Sequence, residues 1–158
     1  MKKCTAKTLL LFSLGLMLVA SAACFPPATP VPPSTATGND SIQNIVWQWT
    51  SVSNRTSGES TSVPNPASYT IIFHDDGTLT GQADCNSFSG TYSQEAGFSI
   101  SIGPVTMAAC GDDSLDATYL ELLGSVVAGG PDGIGNLALE TAGGEQRMTF
   151  VDSGSAME

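Results

Sequence analysis

The sequence predicts an α+β fold, an antiparallel sheet assembled largely from hairpins with one main amphipathic helix packed on it. Three observations carry that reading. Apolar residues recur at every second position in short runs separated by Gly- and Asp-rich turns. One stretch, from about Asp112 to Val127, shows helical spacing instead. Residues 41–153 are enough for a single core and too few for two, so the elements belong to one domain.

Taken in order, Ile45, Trp47 and Trp49 alternate with Val46, Gln48 and Thr50, a strand with an aromatic inner face. Thr56 to Pro66, TSGESTSVPNP, is polar and turn-rich and reads as a loop. Tyr69 to Phe73 and Thr78 to Asp84 flank the turn signature Asp75-Asp76-Gly77 and form a hairpin. A second hairpin joins Gly90 to Gln94 with Phe98 to Ile102 through Glu95-Ala96-Gly97. The helix begins near Asp112 or Asp113, either of which can accept hydrogen bonds from free N–H groups of the first turn, and Asp116 adds charge that the helix dipole favours. Leu115, Tyr119, Leu122 and Val126 then recur at helical spacing, Leu120, Leu123 and Val127 widen the stripe, and Gly129-Gly130 end it. A last hairpin carries Leu137 and Leu139 on one strand, Gly143-Gly144 at the turn, and Met148 and Phe150 on the other.

Ahead of the domain, Lys2, Lys3 and Lys7 precede an apolar run from Leu9 to Val19, followed by the small residues Ala20 to Ala23 and then Cys24. That order is an export signal over residues 1–23. The run is shorter than the roughly 20 residues a bilayer-spanning helix needs. The stretch Ala20-Ser21-Ala22-Ala23-Cys24 resembles a bacterial lipobox, whose cysteine takes a diacylglyceryl group, although Ser21 stands where such motifs usually carry an aliphatic residue. The expectation is an extracytoplasmic chain held to a membrane through lipidated Cys24; the alternative is an ordinary small-residue cleavage site and a freely secreted product. Residues 24–40 hold five prolines and no aliphatic pattern, so they read as an extended linker rising about 3.1 Å per residue. Residues 154–158 are read as a C-terminal tail.

From Cys24 onward only two basic residues, Arg55 and Arg147, stand against all fifteen acidic ones, a formal charge of −13. Nucleic acid and anionic lipid headgroups are therefore poor partners. Such a charge suits a soluble monomer, with capture of a basic protein or of divalent cations as the functional alternative.

The run FHDDGTLTGQADCNSFSGTY contains Phe73, Asp76, Gly77, Gly81, Cys85, Asn86, Phe88, Gly90 and Tyr92, and VTMAAC follows, ending at Cys110. Together with Trp47, the helix around Tyr119 to Leu123 and the closing Leu137, Leu139, Met148 and Phe150, it resembles the META domain of HslJ-type, heat-shock-associated bacterial lipoproteins. The resemblance implies a strongly curved antiparallel sheet, like a partly open barrel, with the helix against it. It also implies an envelope or stress-tolerance role, an unidentified envelope protein partner and no established enzymatic activity. Physical chemistry gives these residues structural work. Gly77, Gly81 and Gly90 permit the turns, bulges and close backbone approach that a curved sheet demands. The Asn86 amide can satisfy backbone groups left unpaired at a strand end. Phe88 and Tyr92 alternate with small residues and fill the interior.

Cys85 and Cys110 are the remaining candidates for chemistry, since Cys4 leaves with the signal. In an oxidising compartment they pair, and closing their loop stabilises by roughly 3.5 kcal/mol in the chain-entropy model. A redox role has neither a C-x-x-C motif nor a neighbouring cation behind it. His74 beside Asp75 and Asp76 raises a Ser-His-Asp hydrolase, but no nucleophile elbow is present and adjacent strand residues point to opposite faces. His74 therefore reads as flanking a turn. Zinc requires more His or Cys than the chain offers. The sets Asp75, Asp76, Asp84 and Asp112, Asp113, Asp116 match no calcium loop. Asn54-Arg55-Thr56 fits a glycosylation triplet, which means little behind a bacterial signal. No catalytic, cofactor or metal residue is expected. Two functional classes remain: a membrane-tethered, non-enzymatic domain that binds a partner, and a carrier of a small apolar ligand in a pocket inside the curved sheet. They differ in whether Trp47, Trp49, Phe73, Phe88, Tyr92 and Phe98 pack solidly or line a cavity.

Overall fold

The computed structural model describes residues 41–156. The expected signal at 1–23, the lipidation site Cys24 and the 24–40 linker lie outside them. Among the described residues there are nine strands and one α-helix: β1 (Ile45–Asn54), β2 (Ser60–Ser62), β3 (Tyr69–Phe73), β4 (Thr78–Ala83), β5 (Asn86–Ser93), β6 (Ser99–Val105), α1 (Asp116–Gly124), β7 (Val126–Pro131), β8 (Asn136–Thr141) and β9 (Gln146–Ser155). The strand order is β6-β5-β4-β3-β1-β9-β8-β7, with β2 attached to β1 off that path. The sheet is curled into a half-barrel. Its terminal strands approach where the Phe98 N–H donates to the Val127 carbonyl at 3.1 Å.

Period-two patterning explains the inner face. Along β1, Ile45, Trp47 and Trp49 are buried while the residues between them are half-exposed, and bulges between Ile45 and Trp47 and between Trp49 and Ser51 bend the strand. Gly81 on β4 sits where a β-carbon would collide with the Phe88 ring and the Thr70 carbonyl. That absence of a side chain lets the Phe88 ring cross the neighbouring strand. Tyr119 of α1 enters the same core, stacked on Trp49 with ring centroids 5.1 Å apart, while Tyr69 meets Trp49 edge-on at 5.8 Å and Tyr119 at 5.7 Å. A second cluster sets Phe73 edge-on to Tyr92 at 4.9 Å and to Phe98 at 5.6 Å. The buried indole N–H groups of Trp47 and Trp49 donate to the Ile42 and Ser51 carbonyls, each at 2.9 Å. The interior is filled by side chains in mutual contact.

Several expectations need correction. The 56–66 loop contains β2, whose Ser60, Thr61 and Ser62 pair with Ser53, Val52 and Ser51, so a polar sequence forms a strand because β1 offers a free edge. The helix is shorter than its apolar stripe suggests. It starts at Asp116 after the N-cap Leu115, and neither Asp112 nor Asp113 caps it. The free N–H groups there go to the Tyr69 hydroxyl from Leu115, to Ser114 Oγ from Asp116 and to Asp116 Oδ1 from Ala117. It stops at Gly124, and Gly129-Gly130 belong to β7. A β-carbon on Gly129 would lie 2.5 Å from Leu139 Cδ2 and 2.9 Å from the Ala138 carbonyl, so this glycine serves close strand packing and not a helix end. The tail expected from residue 154 is also revised, because Ser155 pairs with Ile45 and the Ala156 N–H donates to the Asn44 carbonyl.

Candidate functional site

Ala83 pairs with Asn86, so β4 turns into β5 through Asp84 and Cys85 alone. Asp84 takes a left-handed conformation, φ 57°, which Asp tolerates better than most residues. This turn sets Asn86 at the first position of β5, where its side chain is buried at 3 % exposure.

The Asn86 amide joins the sheet, the β6–α1 connector and the helix. Its Oδ1 accepts from the Ala108 N–H at 2.7 Å, and its Nδ2 donates to the Ala108 carbonyl at 3.1 Å, so one side chain pairs with Ala108 as a strand neighbour would. Asp116 Oδ2 at 3.0 Å and Cys110 Sγ at 3.2 Å also lie within reach of Nδ2, so three acceptors share its two N–H groups. Thr106 Oγ1 donates to Asn86 Oδ1 at 3.3 Å and accepts from the Ser87 N–H at 2.8 Å. Beside this node Cys85 and Cys110 form a disulfide, with Cα atoms 5.5 Å apart. The predicted pair is therefore joined, and it ties the β4–β5 turn to the connector six residues before α1 starts. Met107, between the two anchored residues Thr106 and Ala108, is 93 % exposed.

The other motif residues are structural. Gly77, at φ 82°, and Asp76 form the β3–β4 turn. Asp76 Oδ1 accepts from Thr78 Oγ1 at 2.6 Å and from the Thr78 N–H at 2.9 Å, and those bonds hold its carboxyl below the usual range. Gly90 lies where a β-carbon would meet the Ser101 carbonyl. Phe88 is buried, and the half-buried Tyr92 donates its hydroxyl to the His74 carbonyl at 2.8 Å and accepts from Gln43 Nε2 at 2.9 Å. The His74 ring pairs with Thr80 Oγ1 at 3.0 Å, in keeping with a residue that flanks the turn. Among the described residues no three His, Cys, Asp or Glu side chains converge as a metal site would require. Arg55 and Arg147 both reach Glu140 Oε1, at 2.8 Å and 3.5 Å.

Two clefts lie on the outside. One of about 350 Å³ runs between α1 and the β8–β9 turn, with Val52 and Leu122 beside Glu121 and Glu145. Another of about 450 Å³ on β4, β5 and β6 presents the hydroxyls of Thr80, Ser89 and Ser101. The Tyr119 hydroxyl is buried without a hydrogen-bond partner, and burial pushes it well above the ordinary phenol range.

Sequence reasoning did not find Thr106, Ala108 or the Asp116 carboxylate as partners of Asn86. The available signal was the alternation of Thr106 and Ala108, which continues the period of β6.

The family described as META domain matches residues 40–154. No curated protein matches the chain. Among solved structures, the crystal structure of a DUF4847 family protein from Bacteroides vulgatus is similar at TM-score 0.53 and 14 % identity, covering 70 % of this chain and 93 % of that one. A protein solved by NMR is 23 % identical at TM-score 0.46, covering 70 % of this chain and 90 % of its own. The first likeness concerns the fold alone.

Proposed function

Since this chain belongs to the META domain family, we propose that it is an HslJ-like lipoprotein, anchored outside the cytoplasm through acylated Cys24, that binds an envelope protein and performs no catalysis. The observation that carries the reading is the Cys85–Cys110 disulfide, because such bonds persist in oxidising compartments and are rare in the cytosol. The sequence supports it independently through the signal-like run, the lipobox-like cysteine and a Pro-rich segment suited to a tether. The partner carries a basic surface, since both arginines of the domain pair with Glu140 and, among the described residues, no other carboxylate forms an ion pair with a Lys or Arg. The carrier alternative is disfavoured, because the aromatic side chains that would line an internal pocket touch one another.

Metabolic labelling with a radioactive fatty acid tests the anchor. Label is expected on the mature chain and lost in Cys24→Ala; an unlabelled chain, or label surviving that substitution, refutes it. Cross-linking in intact cells tests the partner, with recovery of the monomer alone as the contrary result.

A further inference from the structure

The two sulfurs of the disulfide sit in different surroundings. Cys85, in the β4–β5 turn, is exposed, and Cys110 is half-buried. Asn86 Nδ2 donates to Cys110 Sγ at 3.2 Å. The Ala108 carbonyl oxygen lies 3.9 Å from Cys85 Sγ and 3.6 Å from Cys110 Sγ. A carbonyl oxygen gives no support to a sulfur anion, so the two are distinguished by their exposure and by the Asn86 amide at Cys110.

Thiol–disulfide exchange requires an open path to the attacked sulfur and a stable thiolate on the departing one. Exposure favours attack at Cys85, and the Asn86 amide is the donor that meets the departing Cys110 sulfur, which shares it with the Asp116 carboxylate. We infer that the Cys85–Cys110 bond is a directional exchange site, in which an incoming thiolate attacks Cys85 and ejects Cys110 onto the Asn86 amide. A bond forms between the attacking sulfur and Cys85 Sγ as the S–S bond breaks. The electron pair leaves on Cys110 Sγ, which is then protonated from water. When the attacker is a dithiol, its second sulfur displaces Cys85, so the protein gains two electrons and the dithiol becomes a disulfide.

The surroundings also select the donor. Asp84 adjoins Cys85, so a thiolate on a molecule of further negative charge is repelled more than one on a neutral or cationic molecule. The matching reductant is a dithiol with a neutral or basic face. After reduction the connector stays docked, because the Asn86–Ala108 pair and the Thr106 N–H bond to the Ser87 carbonyl do not involve sulfur. The inference holds wherever the protein resides.

The test is a brief exposure of the oxidised protein to 2-mercaptoethanol, an acid quench, alkylation with N-ethylmaleimide and peptide mapping. The mercaptoethanol adduct is expected on Cys85, with maleimide on Cys110, at least about tenfold over the reverse, the factor that one charge-assisted hydrogen bond supplies. An even mixture or the reverse adduct overturns the proposal. Asn86 is a positioning residue, and Asn86→Asp keeps its acceptors while removing the donor, so the ratio falls; an unchanged ratio refutes the part given to the amide. Should that variant not fold, wild-type rates decide further. Cationic cysteamine is expected to react faster than 3-mercaptopropionate, and the opposite order contradicts the charge argument.

Discussion

Asn86→Ala is the most informative single perturbation of this fold. It deletes the paired bonds to Ala108, at 2.7 and 3.1 Å, and the bond to the Asp116 carboxylate at 3.0 Å. Ala108 is exposed, so water replaces much of what its backbone loses, and each of those bonds counts for about 1 kcal/mol net. The bond to the charged, half-buried Asp116 adds about 1.5 kcal/mol. The sum is about 3.5 kcal/mol, a large share of the 5–15 kcal/mol typical of a domain. Urea unfolding under oxidising conditions measures it with the disulfide intact in both proteins, so loop entropy cancels. With a slope of about 1.5 kcal/mol per molar, the midpoint falls by about 2 M. A shift under about 0.3 M would show that the connector is held by the disulfide alone and that the amide contributes nothing.

Three further outcomes are expected. Replacing both Cys85 and Cys110 by Ser costs roughly 3.5 kcal/mol, from the 25-residue separation they close, and leaves the circular dichroism of the sheet unchanged; a cost under about 1 kcal/mol contradicts the loop argument. Tyr119→Phe removes a buried, unpartnered hydroxyl and is neutral or stabilising by up to about 1 kcal/mol at pH 7. Its pH dependence has a definite sign. The folded state holds this phenol protonated above the pH near 10 where the unfolded chain ionises, so wild-type stability relative to the variant is intact below that pH and falls by roughly 1.4 kcal/mol per unit above it. Parallel stability curves above pH 10 refute that. Gly81→Val drives a side chain into the Phe88 ring and the Thr70 carbonyl, and thermal unfolding is expected to show a loss of at least about 2 kcal/mol; an unchanged melting temperature means that the strands part more easily than the packing implies.

What the residues made legible follows from how local the signal was. Trp47 and Trp49 occupy alternate positions with Gln48 between them, and Asp75-Asp76-Gly77 has no reading other than a turn, so β1 and the β3–β4 hairpin are plain from the residues alone. Cys85 and Cys110 were the only cysteines within the domain, which made their pairing readable once the compartment was taken as oxidising. The end of α1 was not legible, because Val126 and Val127 continue the helical stripe; what makes them a strand is pairing with β8, over ten residues away in sequence. β2 stayed hidden for the same reason, since STS has no apolar face and owes its form to the edge of β1. The Asn86 node was half visible. Its need for backbone partners was foreseeable at a strand end, whereas Asp116, thirty positions away, enters only when the connector folds back. Asp112 and Asp113 show the cost of local capping rules, since the disulfide and the Asn86 clasp decide where the connector releases the chain into the helix.

The intact mass of the protein drawn unreduced from the membrane fraction of its own cells tests the account most directly. The predicted species begins at Cys24, carries two or more acyl chains and is lighter by two protons than its free-thiol form. A soluble cytosolic chain that still begins at Met1 and holds Cys85 and Cys110 as free thiols would contradict it.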